Sequence, residues 1–219
     1  MELLDDRAVF TRPRVLSTTP HSQVVRFAVQ IPPSREKSKE SFECVLKFFT
    51  IDSQVSYKKE LAAYAALAEQ GISDCPSALG HAEWSSEKYL KTLGKRPKAL
   101  IDGKYESMIF VIMLQHVHGS VPLSSIANIS PEIAKATLLS LSHLHAAGIV
   151  HGDISLDNIL VTEGKDKTFK LTWIDFSCSW TNASQKQIEW EMEIAAMYVA
   201  QWVGPQLPGI MTNSIDRIG

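Results

Sequence analysis

Asp153, Asn158 and Asp175 have the side-chain types and spacing that could hold a metal ion and move a proton. The stretch HGDISLDNILV, residues 151–161, sets a histidine, two aspartates and an asparagine directly before an apolar run. Asp153 and Asn158 share one polar loop, and Asp175 ends the apolar segment FKLTWIDF, whose strand would return beside that loop. One carboxylate and one amide oxygen converging in this way, Asp175 and Asn158, suit a hard cation such as Mg²⁺. Asp153 stays free for another task. A carboxylate near a metal but not on it can accept or orient a hydroxyl proton, the role that phosphoryl transfer to an alcohol requires.

The loop needs elements to hold it at both ends. Before it, Ser130 caps and Pro131 opens a helix in which Ile133, Thr137, Leu141 and Leu144 recur at helical spacing until Gly148. After it, ILVTE and FKLTWIDF, split by GKDKT, read as a hairpin. A last amphipathic helix, Ser184 to Val203, lines up Ile188, Met192, Ala195, Val199 and Trp202 before Gly-Pro ends it. Its tryptophans read as core, since they share helical spacing with Ile and Val.

The first half reads as strand-rich. VVRFAVQI (Val24 to Ile31) and SFECVLKFFT (Ser41 to Thr50) form a hairpin around the turn PPSREKSK. A helix capped by Ser53 and stopped by Gly71 follows, with Val55, Leu61, Ala65 and Ala68 near one face. From Trp84 to Ser107 the sequence reads as a basic surface insertion without periodicity. The apolar run MIFVIML, from Met108 to Leu114, is much too short to cross a bilayer and reads as a strand buried on both faces. Strands gathered first and helices second describe an α+β architecture with two lobes and a cleft between them.

Composition sets the limits. With 219 residues, 45% apolar and 21% charged, the chain lies in the ordinary globular range and can bury roughly 70% of its unfolded surface without disulfides. Three widely spaced cysteines, Cys44, Cys75 and Cys178, contain no CxxC pair, which points to a reducing compartment, cytoplasmic or nuclear. A net charge of -2 argues against nucleic acid or an anionic membrane as the main partner. The acidic start MELLDDRAVF reads as neither a secretion signal nor a transit peptide, so no export is expected from it.

Five motifs, in order, resemble the protein kinase superfamily over roughly Phe27 to Val203. CVLK is similar to the third-strand motif, and the resemblance implies that Lys47 meets the α- and β-phosphates of ATP. YKKELAAYAAL is similar to the next helix, with Glu60 holding Lys47. VIMLQHVHG resembles the lobe connector, which implies Leu114 as gatekeeper and Gln115 and Val117 as the residues whose backbone meets adenine. LHAAGIVHGDISLDN resembles the catalytic loop, implying Asp153 as base and Asn158 as metal ligand. IDFS stands for Asp-Phe-Gly and implies Asp175 as the main Mg²⁺ ligand. The resemblance thus implies a single two-lobed kinase-like domain over 1–219: a β-rich N-lobe over 10–115, a hinge over 116–118 and a reduced helical C-lobe over 119–219.

His-Gly-Asp in place of His-Arg-Asp, and one helix after Asp-Phe, are most similar to small atypical members: RIO kinases, the KEOPS-complex kinase, aminoglycoside phosphotransferases and, closest, small kinase-like proteins of fungal genomes. The expected activity is ATP- and Mg²⁺-dependent transfer of the γ-phosphoryl group to a hydroxyl, a serine or threonine of a protein first. The alternatives are a pseudokinase scaffold, with a partner protein in place of turnover, and a small-molecule phosphotransferase. Four departures bear on this choice. VLSTTPHSQVV has no glycine between Val15 and Val25, so Ser17, Thr18, Thr19 and Ser22 would have to supply hydroxyls to phosphate. Ser155 stands where serine/threonine kinases usually carry lysine, and Ser177 replaces the glycine after Asp-Phe. With Gly152 beside Asp153, control through an arginine at that position cannot operate.

Each residue also has a plain alternative. Lys47 and Glu60 could be ordinary exposed charges, His151 reads as a structural support of the loop, and Asp157 as a turn residue. The pairs His116/His118 and His143/His145 lack a cysteine or third ligand at a suitable spacing, so zinc is not expected from sequence.

Overall fold

The computed structural model describes residues 8–31, 40–93, 108–166 and 168–203. The turn PPSREKSK, much of the basic stretch before Met108 and the Gly-Pro after the last helix lie outside the described residues. The elements in chain order are β1 (Val9–Thr18), β2 (Ser22–Ile31), β3 (Glu40–Phe49), α1 (Gln54–Glu69), β4 (Ala78–Ser85), α2 (Ser86–Leu93), β5 (Met108–Gln115), β6 (Val121–Pro122), α3 (Pro131–Ala146), β7 (Ile149–Val150), β8 (Ile159–Glu163), β9 (Phe169–Trp173), β10 (Trp180–Thr181) and α4 (Gln185–Val203).

The first five strands form one antiparallel sheet in the order β1-β2-β3-β5-β4. Strand alternation divides its side chains between two cores. Cys44, Leu46 and Phe48 of β3 and Ile109, Val111 and Met113 of β5 face one cluster with Phe27 and Trp84. Phe49 and, from β5, Phe110, Ile112 and Leu114 face a second cluster, shared with α1, α3, β8, β9 and α4. Strand β5 is thus buried on both faces, as its unbroken apolar run requires. The second core joins the sheet to the helices and packs the turn after β9, Phe176–Cys178, against α1. No helix among the described residues is long and apolar enough to cross a membrane.

Helix α3 forms as its sequence predicts, with Ser130 Oγ accepting from the Ile133 N–H at 3.4 Å and Pro131 in the first turn. The β8–β9 hairpin pairs Ile159 with Trp173 through Glu163 with Phe169. Helix α1 also stands where expected and ends at Gly71 with φ +68°, but Ser53 makes no side-chain cap bond. Its inward face differs from expectation: Tyr57, Glu60, Ala63, Tyr64 and Leu67 are buried, while Val55 is 68% exposed. A stripe chosen by aliphatic content missed the true one because that face carries a charge whose partner lies on β3.

The region read as a surface insertion begins instead with two elements. β4 continues the sheet beside β5, and α2 drives Tyr89 into the first core, where its ring meets Phe48 edge-on at 4.8 Å and its hydroxyl donates to Gln23 Oε1 at 2.7 Å. Helix α2 turns Tyr89, with Leu90 and Leu93 packed beside it, toward the core, but at eight residues its apolar face is too short to stand out from the lysines and glutamates around it. In α4, Ala195 and Val199 are buried and Trp202 packs on the core, but Trp190 is 62% exposed. It sits one position, about 100° of helix, from the buried stripe.

Candidate active site

The sheet and the helical half meet at a lysine. Lys47 lies on β3 with its side chain on the face opposite Leu46, and Nζ donates to Glu60 Oε2 of α1 at 2.6 Å and to Asp175 Oδ1 at 2.7 Å. Lys47 and Glu60 are both buried, whereas the Asp175 side chain is partly open. Burial works against the ammonium, but Glu60 and Asp175 outweigh it and hold the Lys47 pKa above its ordinary value. Two carboxylates share one cation, and the fully buried one bears the cost. Desolvation pushes Glu60 up to about 7, with Lys47 opposing and Asp175 adding like charge. The hydroxyl of Tyr64, one turn along α1, is buried beside the Glu60 carboxylate, and its interaction there opposes the rise in the Glu60 pKa.

Asp175 stands at φ 64° and ψ 71°, a left-handed conformation that aspartate adopts more readily than most residues. Its Oδ1 accepts from the Ser177 N–H at 3.3 Å and the Ser177 hydroxyl at 2.6 Å, in addition to Lys47. Burial would raise this carboxyl, but Lys47 and the Ser177 bonds hold it below the usual aspartate value. All these bonds fall on Oδ1, so Oδ2 is the oxygen open to a cation. Ser177, which stands in the place of a glycine, thus orients the carboxylate.

The loop from His151 to Asn158 is bound to this centre. His151 Nε2 donates to Ile174 O at 3.0 Å while its Nδ1 accepts from the Asp153 N–H at 3.3 Å, which fixes one neutral tautomer. Burial lowers the His151 pKa and keeps it neutral. Its ring packs on Phe176 at 4.9 Å, and the Ile174 N–H donates to Asn158 O at 2.9 Å. Asn158 Nδ2 donates to Asp153 O at 3.0 Å and to Asp153 Oδ2 at 2.8 Å, which turns the Asn158 amide oxygen away from Asp153. The structure therefore gathers Lys47, Glu60, Asp153, Asn158 and Asp175 around one region. A carboxylate oxygen and an amide oxygen are donors that suit Mg²⁺. Asp157 is exposed and takes a hydrogen bond from the Ser124 hydroxyl, as a turn residue would.

One functional residue escaped the sequence reading. Glu191 of α4 is 2% exposed, and its carboxylate accepts from the backbone N–H groups of His151 at 2.9 Å and Gly152 at 2.6 Å, and meets His145 Nε2 at 2.8 Å. Burial would raise its pKa, yet the His145 and backbone hydrogen bonds keep it lowered and ionised. The signal was present: Glu191 falls on the stripe between Ile188 and Ala195, and a charge on an apolar stripe requires a buried partner. Gly152 has φ +80°, and a Cβ there would lie 2.4 Å from the Cys178 carbonyl oxygen. No arginine fits at this position without moving backbone.

On the connector, Leu114 is buried, Gln115 is exposed with its N–H committed to Ser77 O at 2.9 Å, and the Val117 carbonyl accepts from Ser120 Oγ at 2.8 Å. The Val117 N–H has no backbone partner among the described residues. The β1–β2 turn departs from the hydroxyl clamp expected there. Thr19 Oγ1 accepts from the N–H groups of His21 at 3.2 Å and Ser22 at 3.0 Å, Ser22 Oγ lies 3.2 Å from it, and Thr18 Oγ1 accepts from Gln23 Nε2 at 3.3 Å. Without glycine, the turn caps itself, and the hydroxyls of Thr18, Thr19 and Ser22 are engaged within it or with Gln23.

Residues 124–198 match the model of the lipopolysaccharide kinase (Kdo/WaaP) family, which is part of the protein kinase-like superfamily. The match covers about a third of the chain, the third that carries Asp153, Asn158, Asp175 and Glu191. No curated protein matches the chain. The motif order, the sheet-plus-helix architecture and this match agree: the chain is a small atypical kinase-like protein.

Proposed function

We propose that the chain is an ATP- and Mg²⁺-dependent phosphotransferase that moves the γ-phosphoryl group to a hydroxyl. The observation that carries this reading is the buried Lys47–Glu60–Asp175 cluster lying beside the Asp153–Asn158 pair. Lys47, held by Glu60, would meet the nucleotide phosphates, and the Val117 N–H, with Gln115 beside it, would meet adenine. Asp175 Oδ2 and the Asn158 amide oxygen would hold Mg²⁺, which when bound neutralises charge on the phosphates. Asp153, held through Oδ2 by Asn158, keeps Oδ1 for the hydroxyl proton as the acceptor oxygen bonds to the γ-phosphorus and ADP leaves.

Two acceptor classes are open to this chemistry. A protein serine or threonine is the acceptor expected from the kinase motifs. A sugar or other small-molecule hydroxyl is favoured by the similarity to a lipopolysaccharide kinase family and by Ser155 in place of lysine. A pseudokinase reading draws on the self-capped β1–β2 turn, which offers phosphate little. Transfer from γ-labelled ATP to protein mixtures and to small alcohols separates all three. Label transfer should fall by about 10²–10⁴-fold in Asp153→Asn; unchanged transfer in that variant, or none from the parent to any acceptor, would overturn the assignment.

A further inference from the structure

Outside the Lys47 cluster, three ligand-type atoms converge on the outer edge of the connector. Glu43 Oε2 of β3 lies 3.2 Å from His116 Nδ1 and 3.4 Å from His118 Nδ1, and the two Nδ1 atoms are 3.3 Å apart. We propose that Glu43, His116 and His118 form a binding site for a borderline divalent transition-metal ion, best matched by Zn²⁺. The proposal does not depend on nucleotide or on phosphotransfer.

The geometry supports it in three ways. A tetrahedral ion about 2.0–2.1 Å from each donor sets its donors about 3.3–3.4 Å apart, and the three edges here are 3.2, 3.4 and 3.3 Å. Protons alone do not satisfy this triangle. Each Nδ1 holds either a proton or a lone pair, so no choice of tautomers places a separate proton on all three edges; a cation at the centre meets all three at once. Two imidazoles and one carboxylate are also the donor set of open zinc sites, in which a fourth position is left to water or a ligand. Glu43, His116 and His118 line a hollow of about 860 Å³, walled also by Ala28, Phe42 and Leu79, that has room for such a ligand.

Arg26 Nε approaches the other oxygen of Glu43, Oε1, at 3.9 Å, which orients the carboxylate and leaves Oε2 to the metal. Arg26, and Arg12 in the same hollow, add like charge near the ion, and the Glu43 carboxylate opposes it. Histidines two apart cannot announce such a site, because the third ligand lies on another strand. The other pair, His143 and His145, points elsewhere: His143 is engaged with Asp74, and His145 with Glu191. An ion on Glu43, His116 and His118 would tie β3 to the connector on both sides of Val117, so occupancy would restrict the joint between sheet and helices.

The test uses the full chain without nucleotide. Equilibrium dialysis against Zn²⁺ at pH 7.5 should give one tightly bound ion per chain, and Co²⁺ in its place should show the visible absorption of a four- or five-coordinate ion. His118 is 68% exposed, so His118→Ala should keep the fold; it and Glu43→Gln should each weaken Zn²⁺ binding at least tenfold, while His143→Ala should leave it unchanged. Absence of a stoichiometric ion would overturn the proposal, as would binding that survives in either His118→Ala or Glu43→Gln or that is lost in His143→Ala.

Discussion

The catalytic loop and the β1–β2 turn are two sides of the same proposed site, and they are built by opposite means. The loop is held from elsewhere in the chain at two points, with Glu191 of α4 gripping the backbone at His151 and Gly152 and Ile174 taking the His151 ring, while within the loop Asn158 holds Asp153. The turn is held mostly by its own groups, through Thr19 and Ser22, with one bond from outside, from the Thr50 N–H to the His21 carbonyl at 3.2 Å. A loop fixed from several elements keeps side chains in place for chemistry, whereas a self-capped exposed turn closes locally and offers no row of free N–H groups to a phosphate. On the proposed function, positioning of the reacting groups would be built in, and grip on the triphosphate would be weak.

Substitutions can break that contrast, and the largest effect is expected at the point where both sides meet the nucleotide. Lys47→Met leaves Glu60 and Asp175 without their shared cation and should cost about 3–5 kcal/mol, the usual cost of breaking a buried pair, in denaturant unfolding. A loss below about 1 kcal/mol would show that the cluster is not a buried ion network. Gly152→Ala comes next. A Cβ at φ +80° facing the Cys178 carbonyl should cost about 1–3 kcal/mol and displace the loop from Glu191; a variant as stable as its parent would mean that the loop is loosely held after all. The smallest effect belongs to the turn. Thr19→Gly should change stability by no more than about 1 kcal/mol while freeing the His21 and Ser22 N–H groups, so MgATP should bind more tightly by titration. Weaker binding would show instead that Thr19 itself contacts phosphate and would erase the contrast.

The sequence showed the catalytic loop more clearly than the rest, for a physical reason. Its polar residues stand between α3 and the β8–β9 hairpin, whose apolar periods are clean, so loop and flanks read together. Lys47, Glu60, Asp153, Asn158 and Asp175 were all legible by motif order, and the structure brings them together. The buried face of α1 was not legible, because it contains Glu60 between Tyr57 and Tyr64 and its charge is satisfied only by a residue on another element. Glu191 and Glu43 escaped for the same reason: a buried or ligating carboxylate is identified by its partners, and those lie 40 and 73 positions away in the chain. Strand β4 and helix α2 were hidden by composition, since their core contacts, Trp84 and Tyr89 with Leu79, Leu90 and Leu93 packed beside them, are scattered among lysines, glutamates and serines.

The central claim is that Asp175, held by Lys47 and Ser177, carries a metal-dependent nucleotide site. Its most direct test is thermal unfolding of the parent and of Asp175→Asn with ATP, with and without Mg²⁺. At about 100 times its dissociation constant MgATP should stabilise the parent by about 2.7 kcal/mol, a rise of several degrees in Tm that needs Mg²⁺ and disappears in Asp175→Asn. No rise in the parent at millimolar MgATP, or an equal Mg²⁺-dependent rise in both proteins, would contradict the account.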